Sequence, residues 1–174
     1  MSHNLIWIDI ETTGLNASED SILEVAVVAT DSTLKELAFK EVVVRQDDNT
    51  LSRMCDRVLQ MHVKTGLVDK VLSEDSLPSD EAETLLCQWM EVYNVPSRSA
   101  MCGSSVHFDR AFLKVDMPRL EGMFHYRNFD STSLLIARGL FPKRFGSVSQ
   151  MRGTKHNALD DIRQSIALAR GLLA

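Results

Sequence analysis

The chain has 174 residues, 44% of them hydrophobic and 25% charged, with a net charge of -5. That length suits one domain with a full core, and the charge argues against a protein that grips long nucleic acid by displacing counterions. No apolar run is long enough to span a bilayer, and the first residues lack the basic and apolar regions of a signal peptide. Cys55, Cys87 and Cys102 are odd in number and lack CxxC spacing. They point to reduced thiols in a cytoplasmic protein, rather than to a disulfide framework or a zinc site.

In chain order, "NLIWIDI", "ILEVAVVAT" and "ELAFKEVVVR" read as three strands joined by short turn-rich connectors. Short connections predict antiparallel pairing among them. From about Asn49 the period becomes helical, with Leu51, Met54, Val58, Leu59 and Met61 in phase and a break at Gly66. "LPSDEAETLLCQWMEVY" predicts a helix capped by Ser79 or Asp80. Its apolar stripe is Ala82, Leu85, Leu86, Trp89, Met90 and Tyr93. A short strand at "SAMCGSSV" follows, then a helix at "FDRAFLKVD" that ends before Pro118. The remaining elements are a strand at "YRNFD", a helix at "STSLLIARGL" capped by Asp130, and a closing helix at "HNALDDIRQSIALARGLL". Three strands followed by an alternation of helices and strands predict an α/β fold: a mixed five-stranded sheet flanked by helices, in one domain over residues 1–174.

Within the first strand stand Asp9 and Glu11, two residues apart and so on one face. Buried like charges make sense as ligands of hard cations such as Mg²⁺ or Mn²⁺. The other reading turns one of them outward at the strand end. Asp109 in "GSSVHFDRAFL" sits where a carboxylate favours a helix start in any case. In "HNALDDI" a helical wheel separates two acids. Ala158, Leu159, Ile162, Ile166, Ala169 and Leu173 define an apolar face, widened by Leu168 and Leu172. Asp161 falls about 80° from the centre of that face at about 100° per residue, while Asp160 falls opposite, in solvent. His156 precedes the first turn, where it either caps the helix or swings over the same site. Between Gly122 and His156 six Lys and Arg face one acid, either as a basic surface or as a face for an anionic substrate.

"DIETTGL", the Asp of "SVHFDRAFL" and "HNALDD" match in order the three motifs of the DEDDh 3′-to-5′ exonucleases, which have an RNase H-like fold. Within that group the chain resembles the oligoribonuclease family. The resemblance extends through "ILEVAVVATD", "HVKTGLVDKV", "CGSSVHFDRAFL" and "MPRLEGMFHYRNFD" over nearly the whole length. It implies hydrolysis of short RNA to nucleoside 5′-monophosphates. Asp9, Glu11, Asp109 and Asp161 would hold two divalent cations about 4 Å apart, and His156 would act as general base. It further implies a cap on the substrate's 5′ phosphate from Ser105, Arg127 and Thr132, with His62 contributed across a homodimer interface. Arg127 suits a phosphate because its planar donors engage two oxygens, although an ion pair with a local acid would equally occupy it. Leu15 resembles a wedge between two bases, and Tyr126 a tyrosine that reaches a partner's active site.

The sequence departs from the family at three positions. Thr12 replaces a methionine after the catalytic Glu, and Ser104 replaces an asparagine before Asp109. Arg57 stands where the family has a base-stacking tryptophan, a contact worth about 1–3 kcal/mol per base. Two other functions therefore stay open: a more general exonuclease on single-stranded DNA or longer RNA, and a binding module without catalysis.

Overall fold

The computed structural model describes residues 4–94, 98–146 and 157–173. Strands β1 (Leu5–Thr12), β2 (Ile22–Thr30) and β3 (Glu36–Val43) come first, followed by helices α1 (Asp48–Ser52), α2 (Asp56–Thr65), α3 (Leu67–Leu72) and α4 (Ser79–Tyr93). Next are β4 (Ala100–Gly103), α5 (His107–Asp116), α6 (Pro118–Met123), β5 (His125–Asp130) and α7 (Ser131–Leu140). A 3₁₀ turn over Pro142–Arg144 and α8 (Ala158–Leu173) complete the order. The sheet runs β3-β2-β1-β4-β5. β1, β2 and β3 pair antiparallel, as their short connections require, while β4 and β5 add parallel to β1 and to each other.

Each sheet face has its own core. Ile6, Ile8 and Ile10 of β1 pack with Val25 and Val27 under α4 and α5, through Leu86, Met90, Phe112 and Leu113. Trp7 faces the other way with Ala26, Val28 and Cys102, under Ala158, Leu159, Ile162, Ile166 and Ala169 of α8. The Trp7 indole is satisfied by donating to Thr30 Oγ1 at 3.1 Å. Alternation along β1 thus assigns its odd residues, Asp9 and Glu11 included, to the α8 side.

Four details differ from the sequence pattern. The helical stretch after Asn49 is three short helices: Gly66, at φ +76°, makes the expected break between α2 and α3, while α1 ends separately at Ser52. α4 begins after Pro78 with no side-chain cap, so neither Ser79 nor Asp80 caps it. The helix α6 was not expected from the sequence, although Pro118 stands at its first position. Its first turn is held by buried Glu83 of α4, which accepts from Arg119 N at 2.7 Å and Leu120 N at 3.1 Å. At the end of α8, Leu173 is exposed rather than in the core, although Leu168 and Leu172 are buried as expected. Asp130 does cap α7, accepting from Thr132 N at 2.8 Å.

Strand β4 stops at Gly103, where an added Cβ would lie 2.8 Å from the Ile8 carbonyl oxygen and 3.2 Å from Val106. Gly103→Ala is therefore expected to cost about 1–3 kcal/mol in urea denaturation. A Cβ at Gly122 in α6 meets nothing within 4 Å, so Gly122→Ala should instead stabilise by about 0.5–1 kcal/mol.

Candidate active site

β4 pairs with β1 only at Ile6 and Trp7. Beyond that point the β4 side of β1 has no strand neighbour. Asp109, in the first turn of α5, fills the gap: its Oδ1 accepts the Ile10 N–H at 3.0 Å. A side chain thereby replaces the missing ladder bond, and this carboxylate is buried beside the strand that carries Asp9 and Glu11.

From the other layer α8 brings Asp161. Its carboxylate, with those of Asp9 and Glu11, offers oxygens that all lie within 4.8 Å of one another. Glu11 is buried, and Asp9 and Asp161 are half-buried. Asn157 organises the start of this helix, its Oδ1 accepting from Asp160 N at 3.2 Å. Asp160 is half-buried rather than fully in solvent. His156 lies outside the described residues.

Like charges at this spacing resist ionisation together. Burial, then the Glu24, Asp161 and Asp109 carboxylates, push Glu11 up to about 8. Burial pushes Asp109 up to about 7, although the Ile10 N–H holds it down in part. Asp9 is raised well above the usual range by burial and by Asp109, Glu11 and Asp161. The donors are all carboxylate oxygens, half-buried or buried. That chemistry fits hard divalent cations such as Mg²⁺ or Mn²⁺ and does not suit soft metals.

Two neighbours of Glu11 were not read as such from the sequence. Glu24 of β2 stands directly opposite Glu11 in the ladder and is buried. Its signal was present, as a lone acid in a nine-residue strand of otherwise uncharged residues. His62, expected to be contributed across a homodimer interface, is the buried residue of α2. Its Nε2 lies 2.9 Å from the Thr12 carbonyl and its Nδ1 4.0 Å from Glu11 Oε2. A carbonyl only accepts, so Nε2 carries the hydrogen. The amphipathic α2 turns this position inward, where it meets its own protomer's β1.

The expected phosphate-facing residues divide. Ser105 and Thr132 are brought together, with their hydroxyl oxygens 3.3 Å apart, and Ser104 joins them at 2.9 Å from Thr132 Oγ1. Asp130 Oδ1 fixes both backbones by accepting from Ser105 N and Thr132 N, and holds Ser105 at φ +53°. Arg127 is exposed, with its guanidinium carbon 5.5 Å from the centre of the Tyr126 ring. Leu15 and Tyr126 are strongly exposed, at 86% and 76%, and Arg57 is exposed on α2. Leu15 rides a loop pinned by Asp20, which accepts from Thr13 Oγ1 and Asn16 N.

The family model for exonucleases matches residues 6–169. The oligoribonuclease of Chromobacterium violaceum is 42% identical over 95% of this chain and 91% of its own length. That of Neisseria meningitidis serogroup B is 44% identical over 94% and 87%. That of Pseudomonas aeruginosa is 45% identical over 96% and 92%.

The chain belongs to the oligoribonuclease family.

Solved structures give the fold independently. Exonuclease I of Methylocaldum szegediense superposes over 97% of this chain with a TM-score of 0.72 at 20% identity. E. coli exonuclease I in complex with an oligonucleotide superposes over 98%, also at 0.72, with 16% identity. The chain spans about 40% of the length of each of these exonucleases. A mixed sheet of order β3-β2-β1-β4-β5 with helices on both faces is the RNase H-like fold. Among the described residues no helix is long and apolar enough to cross a membrane.

The raised carboxyls set a pH dependence in the absence of cations. A buried acid with a raised value costs stability once it is ionised, so the folded form without metal loses stability as pH climbs from about 4.5 through about 8. In EDTA, Glu11→Gln should remove part of that loss and melt higher than the natural protein at pH 9, with the difference vanishing near pH 4. Thermal melts of the two proteins across pH check this.

Proposed function

We propose that this chain is a metal-dependent 3′-to-5′ exoribonuclease that hydrolyses short oligoribonucleotides, dinucleotides among them, to nucleoside 5′-monophosphates. It does so within one exonuclease domain over residues 1–174. The observation that carries the reading is the convergence of Asp9, Glu11 and Asp161 within 4.8 Å, with Asp109 alongside. Curated relatives named oligoribonuclease, at 42–45% identity and with most of both chains matched, support the substrate class.

Asp9, Glu11, Asp109 and Asp161 would hold two divalent cations, Mg²⁺ or Mn²⁺. When bound, such ions polarise a phosphate and lower the pKa of water. The protein's own contribution is to fix four carboxylates on two helices and one strand. His156, immediately before the cap of α8 in sequence, takes the proton of the attacking water as general base. His62 donates to the Thr12 carbonyl and steadies the end of β1 beside Glu11.

The Ser105 and Thr132 hydroxyls, organised by Asp130, suit the terminal 5′ phosphate, and Arg127 is exposed two residues into the strand that leads there. Leu15 stands as a wedge against a base and Arg57 as a smaller stacking plane than tryptophan. A homodimer is supported by the apolar surface of α7 and the turn after it, where Leu135, Ile136, Leu140 and Phe141 are exposed. Tyr126 would reach across it. The three free cysteines suit the cytoplasm.

A labelled RNA dinucleotide, a longer RNA and single-stranded DNA, each with Mn²⁺, Mg²⁺ or EDTA, test the proposal. Preferential cleavage of the dinucleotide with either cation and none in EDTA is expected; equal or faster cleavage of long strands would instead favour a general exonuclease. Asp161→Asn should lower kcat about a hundredfold or more, since even outer partners of a metal site cost about 10–100-fold. Arg127→Ala should lower kcat/KM about tenfold to a hundredfold on 5′-phosphorylated dinucleotides, as expected for loss of a charged hydrogen bond of about 1.5–3 kcal/mol. On long strands the same substitution should have little effect. Light scattering of the purified protein should give twice the monomer mass.

A further inference from the structure

Glu24 is 2% exposed in the middle of the sheet, directly across from Glu11. Two like charges facing each other across strands are unfavourable, and burial adds to the cost. A residue retained there needs a partner. The partner is the backbone of α8: Glu24 Oε2 accepts the Ala158 N–H at 3.3 Å, across 134 residues of sequence.

We infer that Glu24 is a positioning residue, which holds the first residue of α8 against β2 and thereby sets Asp161 beside Asp9 and Glu11. The inference rests on the cation-dependent site proposed above.

Three facts carry it. First, Ala158 opens a 16-residue helix whose first N–H groups have no partner within the helix. Glu24 satisfies that of Ala158, and Asn157 satisfies that of Asp160. Second, the start of α8 is seated by apolar side chains, Ala158, Leu159 and Ile162, on Trp7, Ala26 and Val28, while the polar ties of α8 to the sheet through Arg163 to Glu36 and Arg170 to the Leu34 carbonyl lie further along the helix. Apolar packing is non-directional, so it seats the helix without fixing its position along the axis. At the first turn, where Asp161 sits, the bond at Ala158 supplies that direction. Third, Asp161 follows Ala158 by three residues, within one turn, so a shift at Ala158 reaches it undiminished. Glu24 itself is not among the three acids whose oxygens converge. Its carboxylate is engaged at the positive end of α8, where a helix favours negative charge.

Three variants of the full chain separate this role from others. Glu24→Gln keeps an oxygen that accepts from Ala158 N–H. Glu24→Leu removes it. Ala158→Pro leaves Glu24 intact but deletes the N–H, at a first helical position that accepts proline. Each is measured for Mn²⁺ affinity by titration calorimetry, for kcat and KM on an RNA dinucleotide, and for amide hydrogen exchange over residues 158–161.

Glu24→Gln should stay within about threefold of the natural protein in Mn²⁺ affinity and kcat. Glu24→Leu and Ala158→Pro should each weaken Mn²⁺ binding about tenfold to a hundredfold, the range for outer partners of a metal site. Both should lower kcat more than they raise KM, and both should speed exchange of the remaining amides over residues 158–161. If Glu24→Gln is as damaged as Glu24→Leu, the charge of Glu24 matters by itself and the inference falls. It falls equally if Ala158→Pro binds Mn²⁺ like the natural protein, and that variant decides the matter should Glu24→Leu not fold. Calorimetry and exchange do not depend on the substrate, so failure of the natural protein to cleave RNA would defeat the functional proposal and leave this result readable.

Discussion

Carboxylates gathered at one end of β1 are the constraint around which this molecule is arranged. Asp9 and Glu11 lie on one strand face, Asp161 closes on them from α8, and Asp109 enters beside Ile10. Burial and mutual repulsion push these groups toward the neutral form, to about 8 for Glu11 and about 7 for Asp109. Among the described residues, the backbone N–H groups of Ile10 and Ala158 donate to acids of this region. Neither carries a full positive charge. Divalent cations would supply it, which ties order at this end of the sheet to metal binding.

The sheet makes the arrangement possible by being incomplete. β4 ends at Gly103, so β1 continues alone on that side. Asp109 from the α5 layer can then reach the strand edge, while Asp161 approaches from the α8 layer on the other face. Carboxylates from both layers approach the end of β1 where a full-length β4 would have kept them apart. The same short strand leads into Ser104 and Ser105, whose hydroxyls meet Thr132 at the start of α7. Asp130 holds both sides of that junction. One early strand ending therefore serves the acidic cluster and the hydroxyl cluster together.

Around this centre the four acids match the motifs of the family, while positions proposed to face the substrate depart from it. Arg57 provides a guanidinium plane where an indole would stack, and Ser104 adds a third hydroxyl beside Ser105 and Thr132. His62 turns inward to Thr12 and Glu11. Under the proposed function, the departures at Arg57 and Ser104 would bear on which strand is held and how firmly, rather than on whether a phosphodiester is broken.

Much of this was legible in the sequence because it follows from local periodicity. The alternation in "LIWIDIET" put Asp9 and Glu11 on one face, and the wheel of α8 chose Asp161 over Asp160 to point inward. Asp130 as a cap, and the antiparallel pairing of the first three strands, follow from spacing and turn length. The four acids also matched the family motifs in order, although the motifs say nothing of how they meet. Tertiary structure alone decided the rest, because those interactions join residues far apart in the chain. Glu83 caps α6 from α4, Asp109 replaces a ladder bond of β1, and Glu24 holds α8 across 134 residues. His62 turned inward for the same reason: a helix's period defines its apolar side, but the neighbour on that side is set by packing. A sequence fixes which side chains share a face, and only the folded chain fixes what that face meets.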